Sequence, residues 1–272
     1  MAHIGVLKAF EEESINIEYI SGTSSGSIVA TLWAAGYSYE EIYLLFKKYS
    51  HKIKYLDLKN ILSMICGVVI KRKIVIKGLN SGRVIEDLIN DACAKKGIYN
   101  VKQIKMPLLI PSVDLHTGKV YCFCSKEVRR ILTNEIEYIN DAKIGKVVRA
   151  SCSYPAIFEP CGYQNLELVD GGLRENVPWR ETKKIGADKV ISVVFEKELK
   201  EKCCNNIIDV VSHSIDILTS ELSNYELDGA DYLLRIKTKE ISLLDMNKLE
   251  YLYYLGYQTA KTHITEIKSI TN

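Results

Sequence analysis

The chain has 272 residues, a net charge of +2, 47% hydrophobic and 26% charged residues. This is an ordinary globular balance that can fill a sizeable core, and nothing in the total charge supports a nucleic-acid binder. At this length one large α/β domain is the default, with two as the alternative.

Met1 runs directly into a helix-like segment, without the long apolar stretch of a secretory signal. Ile4, Leu7 and Phe10 give Met1 to Glu13 helical spacing, and Ile15, Ile17 and Tyr19 then alternate as in a strand entering Ser21-Gly22. A helix is predicted from Ser25 to Ala35, closed by Gly36, and Ser38-Tyr39-Glu40-Glu41 fits a capping box for the next one. Residues 47–77 stand apart, with nine lysines and arginines against Asp57 alone, together with Tyr49, Tyr55 and the apolar run Ile61 to Ile70. That run is about half the roughly 20 residues of a membrane-spanning helix. The expectation is a basic, membrane-docking insertion on a soluble or peripheral cytoplasmic protein.

Further strands are predicted at Leu108–Val113, Val120–Cys124, Glu167–Asp170, Lys189–Phe195 and Tyr232–Ile236. Helices are predicted at Arg83–Ala94, Ile144–Ser151, Asn206–Leu222 and Lys248–Glu266. Such alternation favours an α/β sheet covered on both faces. The eight cysteines form no CxxC pair, so zinc-ribbon and thioredoxin readings lack support, and reduced, buried thiols in an intracellular setting are expected.

Gly22-Thr23-Ser24-Ser25-Gly26 is a GxSxG pentapeptide between a strand-like and a helix-like segment. A nucleophilic serine needs this pattern because it sits on a tight, strained turn with its hydroxyl pushed outward. Glycines two residues to either side let strand and helix pass closely. The following helix aims its N-terminus at developing negative charge, and the Ser25 N–H is placed to hold an oxyanion. The pentapeptide alone is equally compatible with a Gly/Ser-rich turn.

The serine requires a base. His3 and His51 lie early or in a basic stretch, His116 in a turn, and His213 and His263 inside predicted helices. None follows a late strand, where a triad histidine belongs. Asp170-Gly171-Gly172 ends a predicted strand, either as a carboxylate that can approach another loop or as an ordinary Asp-Gly turn.

Taken together, these blocks resemble the patatin-like phospholipase family. His3-Ile4-Gly5-Val6-Leu7-Lys8-Ala9-Phe10 resembles the family's first helix, and Gly22 to Gly26 its serine elbow. Pro107 to Gly118 and Ala150 to Pro160 resemble the blocks before the aspartate. Asp170-Gly171-Gly172-Leu173-Arg174-Glu175-Asn176-Val177-Pro178 resembles the aspartate block, and Ile241 to Asp245 with Gly256-Tyr257 the C-terminal part.

The resemblance implies a single patatin-like domain over residues 1–272, a three-layer αβα sandwich with a mostly parallel central sheet. It implies a Ser24–Asp170 dyad without histidine, supported by Gly171 and Gly172, and an acyl-enzyme. It implies a phospholipid or other fatty acyl ester substrate, with no cofactor, metal or nucleic acid. Asp114 is expected only to bond its own turn. The family carries a strand and a Gly-rich oxyanion loop before its first helix, whereas Met1-Ala2-His3-Ile4-Gly5 already resembles the interior of that block. The residues given are therefore expected to lack that loop. A catalytically weak or inactive lipid- or protein-binding member is the alternative function.

Overall fold

The computed structural model describes residues 1–50, 77–128, 135–197, 204, 206–238 and 248–271. Most of the 47–77 insertion, including Ile61 to Ile70, lies outside these residues, as do His51, Cys66, Cys203 and the Ile241 to Asp245 block. Of the insertion's basic groups, Lys47 pairs with Glu250 at 3.1 Å.

The first third of the chain builds α1 (Ala2–Glu12), β1 (Ile20–Ser21), α2 (Ser25–Ala34) and α3 (Tyr39–Ser50). Local chemistry sets these boundaries. Gly36 takes the left-handed φ of 83° that closes α2, with Tyr37 N–H returning to the Leu32 carbonyl at 3.1 Å. Ser38 and Glu41 form the reciprocal capping box, the Ser38 N–H donating to Glu41 at 2.9 Å and the Glu41 N–H to Ser38 Oγ at 3.3 Å. The alternation at Ile15 to Tyr19 predicts a longer strand than forms, since only Ile20–Ser21 finds a partner.

Next come α4 (Arg83–Ala94), β2 (Leu108–Asp114), β3 (Val120–Cys124), β4 (Ile136–Ile139) and α5 (Ile144–Ser151). They are followed by β5 (Cys161–Tyr163), β6 (Leu166–Asp170), α6 (Trp179–Lys184) and β7 (Ile191–Lys197). The last elements are α7 (Ile207–Glu226), β8 (Tyr232–Thr238), α8 (Leu249–Thr262) and α9 (Ile264–Thr271). The predicted helix over 248–266 is thus two helices, divided at His263.

The α/β architecture is as expected. The central sheet has strand order β4-β3-β2-β6-β5, with β1 also paired to β2. Its pairing is mixed. β1·β2 and β3·β4 are parallel, while β2·β3, β2·β6 and β5·β6 are antiparallel. β7 and β8 pair in parallel in a second sheet.

β2 is buried along its whole length and separates two cores. Leu108 and Ile110 face a core with Ile89, Ile144 and Leu32, whereas Leu109 and Val113 face Val120, Cys122 and Val169. The period-two alternation of a strand sends neighbouring side chains to opposite faces, so a strand buried on both sides reads as continuously apolar.

α1 is likewise shared. Ile4 and Leu7 enter the first of those cores, and Ala2, Val6, Ala9 and Phe10 a third with Leu234, Ile236 and Ala260. Gly5 and Gly256 let α1 and α8 cross at backbone contact, since a Cβ on either would collide with main-chain atoms of the other helix.

Candidate active site

The register of β2 brings the site together. β1 runs parallel to β2 with Ser21 opposite Leu109, and β6 runs antiparallel with Asp170 opposite Ser112. β3 occupies the other side of β2, so β1 and β6 share one edge and end head to head across Ile110 and Pro111. Gly22 continues β1 by donating its N–H to the Leu109 carbonyl at 3.1 Å. Gly171 continues β6 over Pro111, where a Cβ would strike the Pro111 carbonyl. The two chain ends that emerge carry Ser24 and Asp170.

Ser24 has φ 52° and ψ −128°, a left-handed conformation rarely adopted by a side-chain-bearing residue, and α2 begins at the next residue. The close approach anticipated for the two glycines falls on Gly22, where a Cβ would collide with the Gly26 backbone; at Gly26 a Cβ would meet only the His3 ring, at 3.7 Å.

The strained backbone is tethered on both sides. The Ser24 N–H donates to Ser151 Oγ at 3.1 Å, and the Ser24 carbonyl accepts Ser27 Oγ at 2.6 Å and Cys152 Sγ at 3.1 Å. Thr23 Oγ1 donates to the Glu175 carbonyl at 2.7 Å, joining the elbow to the loop after Asp170. Ser25 is the first residue of α2, so its N–H belongs to the helix N-terminus.

Asp170 is 3% exposed. Its N–H donates to the Ser153 carbonyl at 3.0 Å, and its Oδ1 accepts the Gly172 N–H at 2.8 Å. Burial pushes its pKa up to about 6, opposed by the Gly172 N–H and then by a hydrogen bond from the Ser24 side chain. Oδ2 is buried without a partner at full hydrogen-bond geometry.

Ser24 and Asp170 open onto a cavity of about 940 Å³. Val6, Leu7 and Phe10 of α1, Val193 and Phe195 of β7, and Ile215 of α7 contribute apolar wall, and Tyr154 and Trp179 also line the cavity.

His3 shares this wall, which its early position did not suggest. Its ring stands edge-on to Phe195 at 4.9 Å, and burial, aided by the amino-terminal charge, pushes its pKa down to about 3. The signal was present in the sequence, since His3, Val6, Leu7 and Phe10 fall at i, i+3, i+4 and i+7 on one helix face.

The other described histidines do not line the cavity. His116 lies 3.6 Å from Glu167, and His263 pairs with Glu266 at 3.2 Å. Asp114 binds its own turn as expected, accepting the Thr117 N–H and hydroxyl at 3.0 and 2.7 Å. Among the described residues, no cluster of three His, Cys, Asp or Glu is arranged to hold a metal.

Below the elbow lies a carboxylate cluster. Burial pushes Glu226 up to about 7, although it accepts the Asn176 and Val177 N–H groups. Burial, and next the charge of Glu226, push Glu175 up to about 8.

The α/β sheet thus presents a serine on a strand-to-helix elbow beside a buried aspartate. Residues 1–183 match the family model described as patatin-like phospholipase, and the chain belongs to that family of lipid hydrolases. It is 29% identical over 218 residues to the uncharacterized protein YqhO of Bacillus subtilis, covering 76% of this chain and 71% of that one. It is 25% identical over 193 residues to lysophospholipase NTE1 of Candida albicans, covering 71% of this chain but 12% of that much longer protein. In fold it resembles VipD from Legionella pneumophila, with a TM-score of 0.52 at 14% identity over 97% of this chain and 64% of that one.

Proposed function

We propose that the chain is a serine lipid acyl hydrolase in which Ser24 and Asp170 form a two-residue catalytic unit. Ser24 Oγ attacks the carbonyl of a fatty acyl ester while Asp170 accepts its proton. The Ser25 N–H and the N-terminus of α2 stabilise the oxyanion. Collapse of the tetrahedral adduct expels the alcohol, which takes the proton back from Asp170, and leaves an acyl-serine. Asp170 then activates water for hydrolysis of that ester.

The observation that carries this reading is the pairing of a left-handed, tethered Ser24 with a buried Asp170 whose pKa is raised to about 6. A free aspartate, at about 3.9, is a weak base for an alcohol. Raising that value strengthens the base while leaving it mostly ionised at neutral pH. The apolar wall of the cavity suits an acyl chain, and the lysophospholipase activity named for the fungal relative agrees with a phospholipid or lysophospholipid substrate.

The test is hydrolysis of a fatty acyl p-nitrophenyl ester together with labelling by a fluorophosphonate. Ser24→Ala should abolish both, and Asp170→Asn should lower both by at least a hundredfold. His213→Ala and His263→Ala should retain them. A histidine variant as inactive as Ser24→Ala would assign the base elsewhere. Absence of labelling in the wild type would favour a binding protein built on the same fold.

A further inference from the structure

α7 carries large apolar side chains on its exposed side. None of its 20 residues is fully buried. The face turned toward the protein makes polar contacts beside the half-buried Ile215 of the cavity wall: Tyr154 donates to the Ser212 carbonyl and to Asp216 at 3.1 and 3.2 Å, and Asn176 donates to Ser223 Oγ at 2.7 Å. Asp216, Thr219 and Ser223 of this face line the cavity that holds Ser24 and Asp170.

An apolar stripe runs along the outward side, flanked by the exposed Ser214 and Glu221. Ile207, Val211, Leu218 and Tyr225 follow one another at i, i+4, i+11 and i+18, a single stripe on a 3.6-residue helix. Ile207, Leu218 and Tyr225 are 78%, 69% and 71% exposed. A surface helix that packs its apolar stripe inward is the ordinary arrangement, so an outward stripe of this length marks a contact surface.

The charges on the helix select the partner. α7 carries Asp209, Asp216, Glu221 and Glu226 and contains neither lysine nor arginine. An anionic bilayer is repelled by such a helix, whereas a zwitterionic surface meets the apolar stripe without an electrostatic cost. A 20-residue helix is about 30 Å long, enough to lie in the plane of an interface, and no described helix is apolar enough to cross a bilayer. Since the opposite face lines the cavity, a lipid surface seated on the stripe would lie at the mouth of the site.

We propose that the outer face of α7 docks on the surface of zwitterionic phospholipid aggregates and delivers acyl chains to the Ser24 cavity. Delivery rests on the hydrolase reading above; docking does not, and the two are separable by experiment. The full chain is sedimented with sucrose-loaded phosphatidylcholine vesicles in 1 M NaCl, where the screening length is about 3 Å and basic segments contribute little. Wild type should bind, and Ile207→Glu with Leu218→Glu should lower binding at least tenfold. Neither residue lines the cavity, so hydrolysis of a soluble short-chain ester should be unchanged, while hydrolysis of phosphatidylcholine vesicles should fall with binding.

Loss of vesicle binding in this variant, in a protein that hydrolyses no ester, would sustain docking and remove delivery. Intact vesicle binding in the variant would overturn docking and leave the hydrolase reading standing. Binding that requires anionic lipid in place of phosphatidylcholine would overturn the proposal. So would a wild-type dimer that the double variant converts to monomer without change in vesicle binding, since the stripe would then join two copies of the chain.

Discussion

A left-handed backbone at a residue such as Ser24 costs on the order of 1–3 kcal/mol and persists only where its surroundings over-determine it. Ser151, Ser27 and Cys152 supply that constraint by holding its N–H and carbonyl. Ser151→Ala removes the acceptor of the Ser24 N–H, and such an unmet group costs about 1–3 kcal/mol. We expect kcat to fall about ten- to a hundredfold with KM little changed, and Ser151→Thr to restore much of it. Equal loss in the threonine variant would assign Ser151 to packing.

Asp170 makes the second prediction. Its folded pKa of about 6 exceeds the ordinary 3.8, so the folded state holds this proton more tightly than the unfolded one. The associated stability is full below about 4 and is lost as pH rises through 6. At 1.36 kcal/mol per pKa unit the loss is about 3 kcal/mol. Asp170→Asn carries no ionised form. It should therefore raise Tm relative to wild type at pH 8 and not at pH 4, while wild-type kcat/KM should rise with pH through about 6. A Tm gap independent of pH would mean that burial does not perturb this carboxylate.

Between elements, α1 and α8 cross at backbone contact. A Cβ on Gly5 or Gly256 would meet main-chain atoms, which cannot swing aside like a flexible side chain. Overpacking of this kind typically costs about 1–3 kcal/mol, and α1 also carries His3 against the elbow at Gly26. Gly5→Ala and Gly256→Ala should each lower Tm by several degrees in calorimetry. Unchanged melting would show that the helices separate without penalty. α7 is held differently, through Glu226, which accepts two main-chain N–H groups from the loop after Asp170. The helix is thus fastened by polar groups at the site and leaves its apolar side outward.

At the scale of the molecule, three buried or partly buried carboxylates among the described residues have raised pKa values: Asp170 at about 6, Glu226 at about 7 and Glu175 at about 8. Each contributes stability below the ordinary carboxylate range that is lost as pH rises through its folded value. Their signs agree, so together they impose a decline in stability from pH 5 to pH 9, opposed up to about pH 8 by the buried amino terminus and His3, whose depressed values add stability as pH rises. Glu226→Gln keeps an acceptor for Asn176 and Val177 and should flatten that decline. It removes the charge on Glu226 and, with it, a cause of the raised Glu175 value. A Tm difference between wild type and Glu226→Gln that does not widen with pH over this range would contradict the reading of the cluster.

What the sequence alone determined was local. The serine elbow spans five residues, the Ser38–Glu41 box four, and the Asp114 turn four, so each is set by steric and hydrogen-bonding demands within one stretch of chain. The long periodic elements, α1 and α4 among them, were legible for the same reason. The short β4, β5 and α6 carry too few periods to be read, and the division at His263 leaves the apolar pattern on both sides intact.

Tertiary structure decided the rest. Ser24 and Asp170 meet because β1 and β6 end against the same edge of β2, a register set by pairing between distant segments. His3 reaches the cavity wall because α1 is packed between two cores. The stripe of α7 has the spacing of an ordinary core-facing helix, and the contacts of its other face with Tyr154, Asn176 and the cavity leave it outward. Periodicity identifies an amphipathic face, but the free energy of packing against the remaining elements determines the direction in which it points.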